Sequence, residues 1–198
     1  MFLEPHFQNQ RIGWLEVIVG SMFSGKTEEL LRRLRRSQIA RQKVGLFKLA
    51  MDDRFSEEQV VSHDSSSMEA MRVEHSQDVA RLASGLDVIG VDEVQFFDHG
   101  FVEVCQKLAN DGKRLIVAGL DMDFSGRPFG PVPDLMAMAE YVTKLHAICQ
   151  QCGRLANHSY RLLPSRDQIL LGASEQYEAR CRICFGMGNI LDFKSVDN

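Results

Sequence analysis

No stretch of this sequence approaches the ~20 consecutive apolar residues that a membrane-crossing helix needs. Residues Met1 to Arg11 lack a basic segment followed by an apolar run, so they are not expected to be a secretory signal and read as a short, mobile extension. Positive charge is not in excess. The 23 Lys and Arg stand against 27 Asp and Glu, a net charge of −4, which argues against a general affinity for nucleic acid or acidic membranes. There is no internal repeat and no extended low-complexity tract. The five cysteines are an odd set, and in a reducing compartment no disulfide framework is expected of them. What remains is an ordinary globular composition, 44% hydrophobic and 25% charged. Its 198 residues suit one domain, or one domain with a small appendage.

Against that background, Gly20-Ser21-Met22-Phe23-Ser24-Gly25-Lys26-Thr27 stands out as G-x-x-x-x-G-K-T. The run Trp14–Val19 before it reads as a buried strand, and Glu28–Leu34 after it reads as a helix. Successive backbone N–H groups in such a loop, backed by a helix N-terminus, form a cradle for a polyphosphate. Lys26 adds a point charge at the β- and γ-phosphates, and Thr27 a hydroxyl for Mg²⁺. A nucleoside triphosphate site, with no export or membrane signal, points to the cytoplasm.

Further strands are expected at Lys43–Ala50, Met68–Val73, Leu86–Asp92 and Arg114–Asp121, with helices around Gln77–Ala83 and 98–111. Strands alternating with helices, and apolar on both faces, indicate a mostly parallel sheet with helices on both faces. The fold class is therefore α/β, a P-loop (RecA-like) fold. Residues 51–67 are polar and look like an exposed excursion. The basic run Arg32-Arg33-Leu34-Arg35-Arg36 shares its helix with Leu30, Leu31 and Leu34, and reads as a solvated or intersubunit face. Interleaved aromatics for stacking bases are missing. The strand Val88–Asp92 ends in Asp92-Glu93, about 65 residues after the P-loop. In a P-loop fold Asp92 holds Mg²⁺, and Glu93 is left free to deprotonate a water or a substrate hydroxyl. This dyad alone does not separate an ATPase from a kinase.

Cysteine supplies the second motif. Cys149-x-x-Cys152 and Cys181-x-x-Cys184 give four thiolates that can surround one tetrahedral Zn²⁺. A closed four-cysteine site has no open coordination position, so the metal is structural and pins the base of a long loop. The fifth, Cys105, lies in a helix-like pattern as a small buried hydrophobe. The expected organisation is a flexible extension over 1–12, a P-loop domain over 13–148, a zinc-binding lobe over 149–191 and a tail over 192–198.

Taken together, the P-loop, Asp92-Glu93-Val94-Gln95-Phe96-Phe97, Leu120–Gly130, both cysteine pairs and Gly172–Tyr177 resemble the type II, cytosolic-type thymidine kinase family over roughly residues 13–190. The resemblance implies transfer of the γ-phosphoryl of ATP to the 5′-hydroxyl of thymidine, with deoxyuridine a second acceptor. It implies Glu93 as general base, helped by Lys26 and by Arg54, which matches an arginine near the phosphoryl-transfer site. It extends the ATP-binding set from Gly20–Thr27 to Asp92, Glu93, Val94 and Gln95. Met22, Phe96, Leu120, Phe124 and Tyr177 match positions lining the nucleoside pocket. The segment between the cysteine pairs becomes a lasso-like loop, in which Ile169, Leu170, Leu171, Gly172 and Ala173 read the base edge. A homotetramer and feedback inhibition by thymidine triphosphate are further expectations of the family. Val94 departs from it, since smaller residues are common there. The rival readings are a zinc-ribbon P-loop ATPase acting on nucleic acid, which the acidic balance disfavours, and a zinc-stabilised nucleotide sensor, against which intact Lys26, Thr27, Asp92 and Glu93 weigh.

Overall fold

The computed structural model describes residues 12–50, 59–61, 67–162 and 176–187. In chain order the elements are β1 (Trp14–Val19), α1 (Lys26–Ile39), β2 (Val44–Leu49), β3 (Gln59–Val61), β4 (Ser67–Glu69), β5 (Met71–Val73), α2 (Ser76–Leu82) and β6 (Val88–Asp92). A 3-10 turn over Val94–Phe96, α3 (Gly100–Asn110), β7 (Arg114–Gly119), α4 (Val132–Met138) and β8 (Tyr141–Lys144) follow. Four short strands come next, β9 (Ala147–Ile148), β10 (Leu155–Ala156), β11 (His158–Arg161) and β12 (Tyr177–Arg180), and a helical segment over 182–187 ends the described chain.

Six strands form one sheet in the order β5-β2-β6-β7-β1-β8, and every pairing in it is parallel. The period of two along each strand decides which helix it meets. Leu15, Val17 and Val19 of β1, with Ile89, Val91, Leu115 and Val117, face a core closed by Val79 of α2, Phe101 and Val104 of α3, and Val132 and Leu135 of α4. Ile18, Val88, Ile116 and Ala118 point the other way, against Leu30, Leu31 and Leu34 of α1. Helices thus cover both faces, and fully burying each such side chain contributes roughly 1.5–3 kcal/mol. Cys105 is buried in the first of these cores, and that burial pushes its thiol pKa up, as befits a small hydrophobe.

Helix α1 starts where Gly25, at φ +84°, releases the P-loop. Glu28 and Glu29 in the first turn favour the positive helix end. The basic run departs from its reading as a solvated or intersubunit face. Arg32 and Arg36 are exposed, but Arg33 is only 1% exposed. Arg33 Nη1 donates to Glu16 Oε2 at 2.8 Å, and Arg114 Nε donates to Glu16 Oε1 at 2.7 Å. Glu16 stands on β1 with no exposure at all, so the α1 face of the sheet holds a buried charge network. The strand expected over 68–73 is two strands broken at Ala70: β4 pairs antiparallel with β3, and β5 joins β2 in the main sheet.

Beyond β8 the strands are short. Strand β9 pairs antiparallel with β10, and β11 with β12. Ala147, Cys149, Ala156, Ala179 and Cys181 form a small core of their own. Among the described residues no helix is long and apolar enough to cross a membrane.

Candidate functional site

The site gathers at the C-terminal ends of the parallel strands, where β1 opens into the P-loop and β6 into Asp92-Glu93. Strand β7 stands between them. Gly20 begins the loop at φ +150°, and a Cβ there would lie 2.4 Å from the Leu145 carbonyl oxygen, so only glycine fits. Lys26 is buried and its Nζ donates to the Ser21 carbonyl at 2.9 Å. Burial lowers its pKa, while the charges of Glu93, Asp92 and Asp121 act against that shift. Thr27 Oγ1 donates to Asp92 Oδ2 at 3.0 Å, which sets a hydroxyl and a carboxylate face to face. The hydroxyls of Ser21 and Ser24 are buried without a protein partner.

Asp92 is buried, and its Oδ1 accepts the Glu93 backbone N–H at 2.9 Å. Burial first, and the charge of Glu93 second, push its pKa up to about 7. The Thr27 and Glu93 hydrogen bonds and Lys26 pull against that rise. Glu93 is exposed and holds φ +54°, ψ +42°. A side-chain-bearing residue in this left-handed region costs about 1–2 kcal/mol, and strain of this kind concentrates where chemistry is done. Gln95 fixes the Glu93 carboxylate: its Nε2 donates to Glu93 Oε2, and its Oε1 accepts the Leu120 N–H at 2.9 Å. Gln95 itself is buried, as is Val94, whose side chain belongs to the sheet core.

The pocket-lining candidates are held by separate contacts. Leu120 follows β7 directly, and Phe96 meets Phe129 edge to face at 5.7 Å. Phe124 and Tyr177 are brought together by Arg161, whose guanidinium lies 3.7 Å above the Phe124 ring and donates to Tyr177 Oη at 2.9 and 3.2 Å. Met22 is tied to β11, its N–H donating to Ser159 Oγ at 3.0 Å. Asp121 accepts from Lys144 Nζ at 2.6 Å. Arg161, Ser159 and the positioning role of Gln95 are not foreseen from the sequence. The polar–aromatic alternation His158-Ser159-Tyr160-Arg161 was the available signal, and it marks β11. Arg54 and Ile169 to Ala173 lie outside the described residues.

The four remaining cysteines converge. The Sγ atoms of Cys149, Cys152, Cys181 and Cys184 all lie within 4.8 Å of one another, with Cys152 and Cys181 3.6 Å apart. Four thiolates ~2.3 Å from a tetrahedral zinc stand about 3.8 Å apart, so this donor set fits. Two tight turns present them: Gly153 N–H returns to the Cys149 carbonyl at 2.8 Å, and Phe185 N–H to the Cys181 carbonyl at 2.9 Å. Burial tends to raise the Cys149 pKa, yet hydrogen bonds from the backbone around Cys181, Gln151 and Cys152 bring it down to about 6. Hydrogen bonding led by the Cys184 N–H also lowers Cys181, whereas the hydrogen bond with Cys152 and burial push Cys184 up to about 12, so Cys149 and Cys181 are the two thiols favoured as thiolates.

Comparison with known proteins agrees with this arrangement. A family model described as thymidine kinase matches residues 13–185. A thymidine kinase of Rhodothermus sp. is 60% identical over 174 residues, covering 88% of this chain and 82% of that protein. One from Bacteroides thetaiotaomicron is 53% identical over 186 residues, covering 93% and 94%. One from Porphyromonas gingivalis is 53% identical over 180 residues, covering 91% and 88%. With matched positions spanning the P-loop, the acidic dyad and the four cysteines, the chain belongs to the thymidine kinase family.

Proposed function

We propose that this chain transfers the γ-phosphoryl group of ATP to the 5′-hydroxyl of thymidine, and of deoxyuridine, giving the nucleoside monophosphate. The observation that carries the reading is the meeting of the P-loop with Asp92-Glu93 at the sheet ends, Thr27 Oγ1 on Asp92 Oδ2 at 3.0 Å, in a member of this family. In the proposed reaction the 5′-oxygen forms a bond to the γ-phosphorus, ADP leaves with the electrons of the broken P–O bond, and the hydroxyl proton passes to the Glu93 carboxylate. Gln95 aims that carboxylate. Lys26 and the loop amides neutralise phosphate charge; in such a loose transition state, positioning and charge neutralisation contribute more to the rate than the base does.

Thr27 and Asp92 are the residues suited to hold Mg²⁺, which would supply positive charge to offset that of the phosphates. The acid surplus around Lys26, with Glu93, Asp92 and Asp121 close by, suits a ligand that brings its own cation. Cys149, Cys152, Cys181 and Cys184 would hold one structural Zn²⁺. Met22, Phe96, Leu120, Phe124 and Tyr177 form the proposed nucleoside pocket, closed by Ile169 to Ala173. Arg54 completes the phosphate site. Division into a P-loop domain over 13–148 and a zinc lobe over 149–191, a homotetrameric assembly, cytoplasmic location and inhibition by thymidine triphosphate belong to the same reading.

The test is incubation with labelled ATP and a panel of nucleosides, with and without DNA. Labelled thymidine monophosphate is expected, unaffected by DNA. DNA-stimulated phosphate release without nucleotide product would establish the nucleic-acid ATPase instead.

A further inference from the structure

The phosphate loop is gripped from outside the main sheet at three points, all in its leading half. Gly20 backs onto the Leu145 carbonyl, on the connection from β8 to β9 and Cys149. Met22 gives its N–H to Ser159 on β11. Phe23 holds φ +64° and packs against the small core of Ala147, Cys149, Ala156, Ala179 and Cys181. The trailing half, Gly25 to Thr27, instead runs into α1.

A phenylalanine in the left-handed region is disfavoured, and glycine is the ordinary residue for such a backbone. Strain of this kind persists only where the surroundings over-determine it. Here the surroundings are the lobe that carries the cysteines. Glycine at this position would satisfy the dihedral angle and lose the packing, so the presence of phenylalanine marks the contact as the feature being kept.

We propose that Phe23, with Ser159, couples the four-cysteine lobe to the phosphate loop, so that an ordered lobe and a phosphate-ready loop favour each other. This rests on the reading that the loop binds ATP. Both are positioning residues: Phe23 acts through its ring in the lobe, and Ser159 through the Met22 amide. A loop already held in its binding conformation binds without first populating that conformation. The coupling must also run in reverse, because linkage between two binding events is reciprocal. ATP on the loop therefore strengthens the lobe's hold on the metal its thiols would bind, and the steadier lobe is expected to release that metal more slowly.

The experiment uses the full-length, zinc-loaded protein and two readouts, equilibrium ATP binding and the rate of zinc release to a chelator with and without saturating ATP. Phe23→Gly relieves the dihedral strain, yet it is expected to weaken ATP binding about tenfold. Phe23→Leu, which keeps an apolar group in the lobe, should retain most of the affinity, and Ser159→Ala should fall between the two. In the unmodified protein ATP should slow zinc release several-fold, and Phe23→Gly should abolish that slowing. ATP affinity in Phe23→Gly equal to that of the unmodified protein overturns the coupling, as does zinc release indifferent to ATP in the unmodified protein. If Phe23→Gly does not fold, Ser159→Ala and the chelation of the unmodified protein decide. Failure of the unmodified protein to bind ATP would remove the nucleotide-binding reading itself, and the coupling with it.

Discussion

At the scale of single residues, two adjacent carboxylates are given opposite surroundings. Asp92 is buried and bonded to Thr27 and the Glu93 amide, whereas Glu93 is exposed and stands on a left-handed backbone. Their adjacency at a strand end is legible in the sequence; the left-handed backbone at Glu93, and the amide of Gln95 that aims it, are not, because side-chain direction depends on φ. Glu93→Gln is expected to keep ATP affinity within about twofold and to lose 10²–10⁴-fold in turnover, the usual contribution of a general base; near-normal turnover removes Glu93 from that role. Asp92 carries a pH prediction. A carboxyl whose pKa is raised in the folded state keeps its full contribution to stability below the unfolded pKa, near 3.8, and loses it as pH rises through about 7. Asp92→Asn resembles the protonated form. It should therefore stabilise the metal-free, nucleotide-free protein at pH 8 by on the order of 4 kcal/mol, with the gap closing towards pH 4, while abolishing Mg²⁺-dependent turnover. Thermal melting across that pH range checks it, and a gap independent of pH would show that the charge is not its source.

At the scale of elements, α1 shows how far periodicity reaches. Leu30, Leu31 and Leu34 announce the buried stripe, and they do pack on the sheet. Arg33 lies among them in sequence, and nothing local shows that Glu16, seventeen residues earlier on a strand, faces it. A buried carboxylate on an apolar strand was the one available hint. Arg33 also reaches Glu29 Oε1 at 2.8 Å and Thr143 Oγ1 at 2.9 Å, while Arg114 reaches Ser37 Oγ at 3.0 Å. Through Glu16 the network joins α1, β1 and β7, and through Thr143 it reaches β8. Removing the central acid takes the shared carboxylate from two buried guanidinium groups, leaving Arg33 on Glu29 and Thr143 and Arg114 on Ser37, a change that costs about 3–5 kcal/mol in comparable networks. Glu16→Ala should lower the urea midpoint accordingly, without a direct effect on the residues that line the nucleotide site. A loss below about 1 kcal/mol would mean that the arginines find other partners.

At the scale of the whole molecule, the readable parts were those whose chemistry is written in contiguous residues: the P-loop, the acidic dyad and the paired cysteines. The order β5-β2-β6-β7-β1-β8 was not readable, because a period of two reveals that a strand is buried and not which strand lies beside it. Strands of two to four residues such as β9 to β12 carry too little pattern for their pairing to be read. Yet it is these that bring Cys149 and Cys152 to Cys181 and Cys184: Gln150 N–H donates to the Ala179 carbonyl at 3.0 Å and so joins the two cysteine turns. Among the described residues the small core around the cysteines is made mostly of alanine and cysteine, which gives little area to hold it together by burial alone. Metal ligation by the four clustered cysteines, as proposed, would then supply much of its stability, as in small metal-dependent folds. Cys152 is the most exposed of the four, and its Sγ still lies 3.6 Å from that of Cys181, so replacing it removes a ligand with little loss of packing. Cys152→Ser should therefore bind substoichiometric zinc and melt on the order of 5 °C lower, with the loss beginning in the lobe. Metal analysis and calorimetry read both quantities, and a full zinc complement with unchanged melting would falsify the ligand assignment.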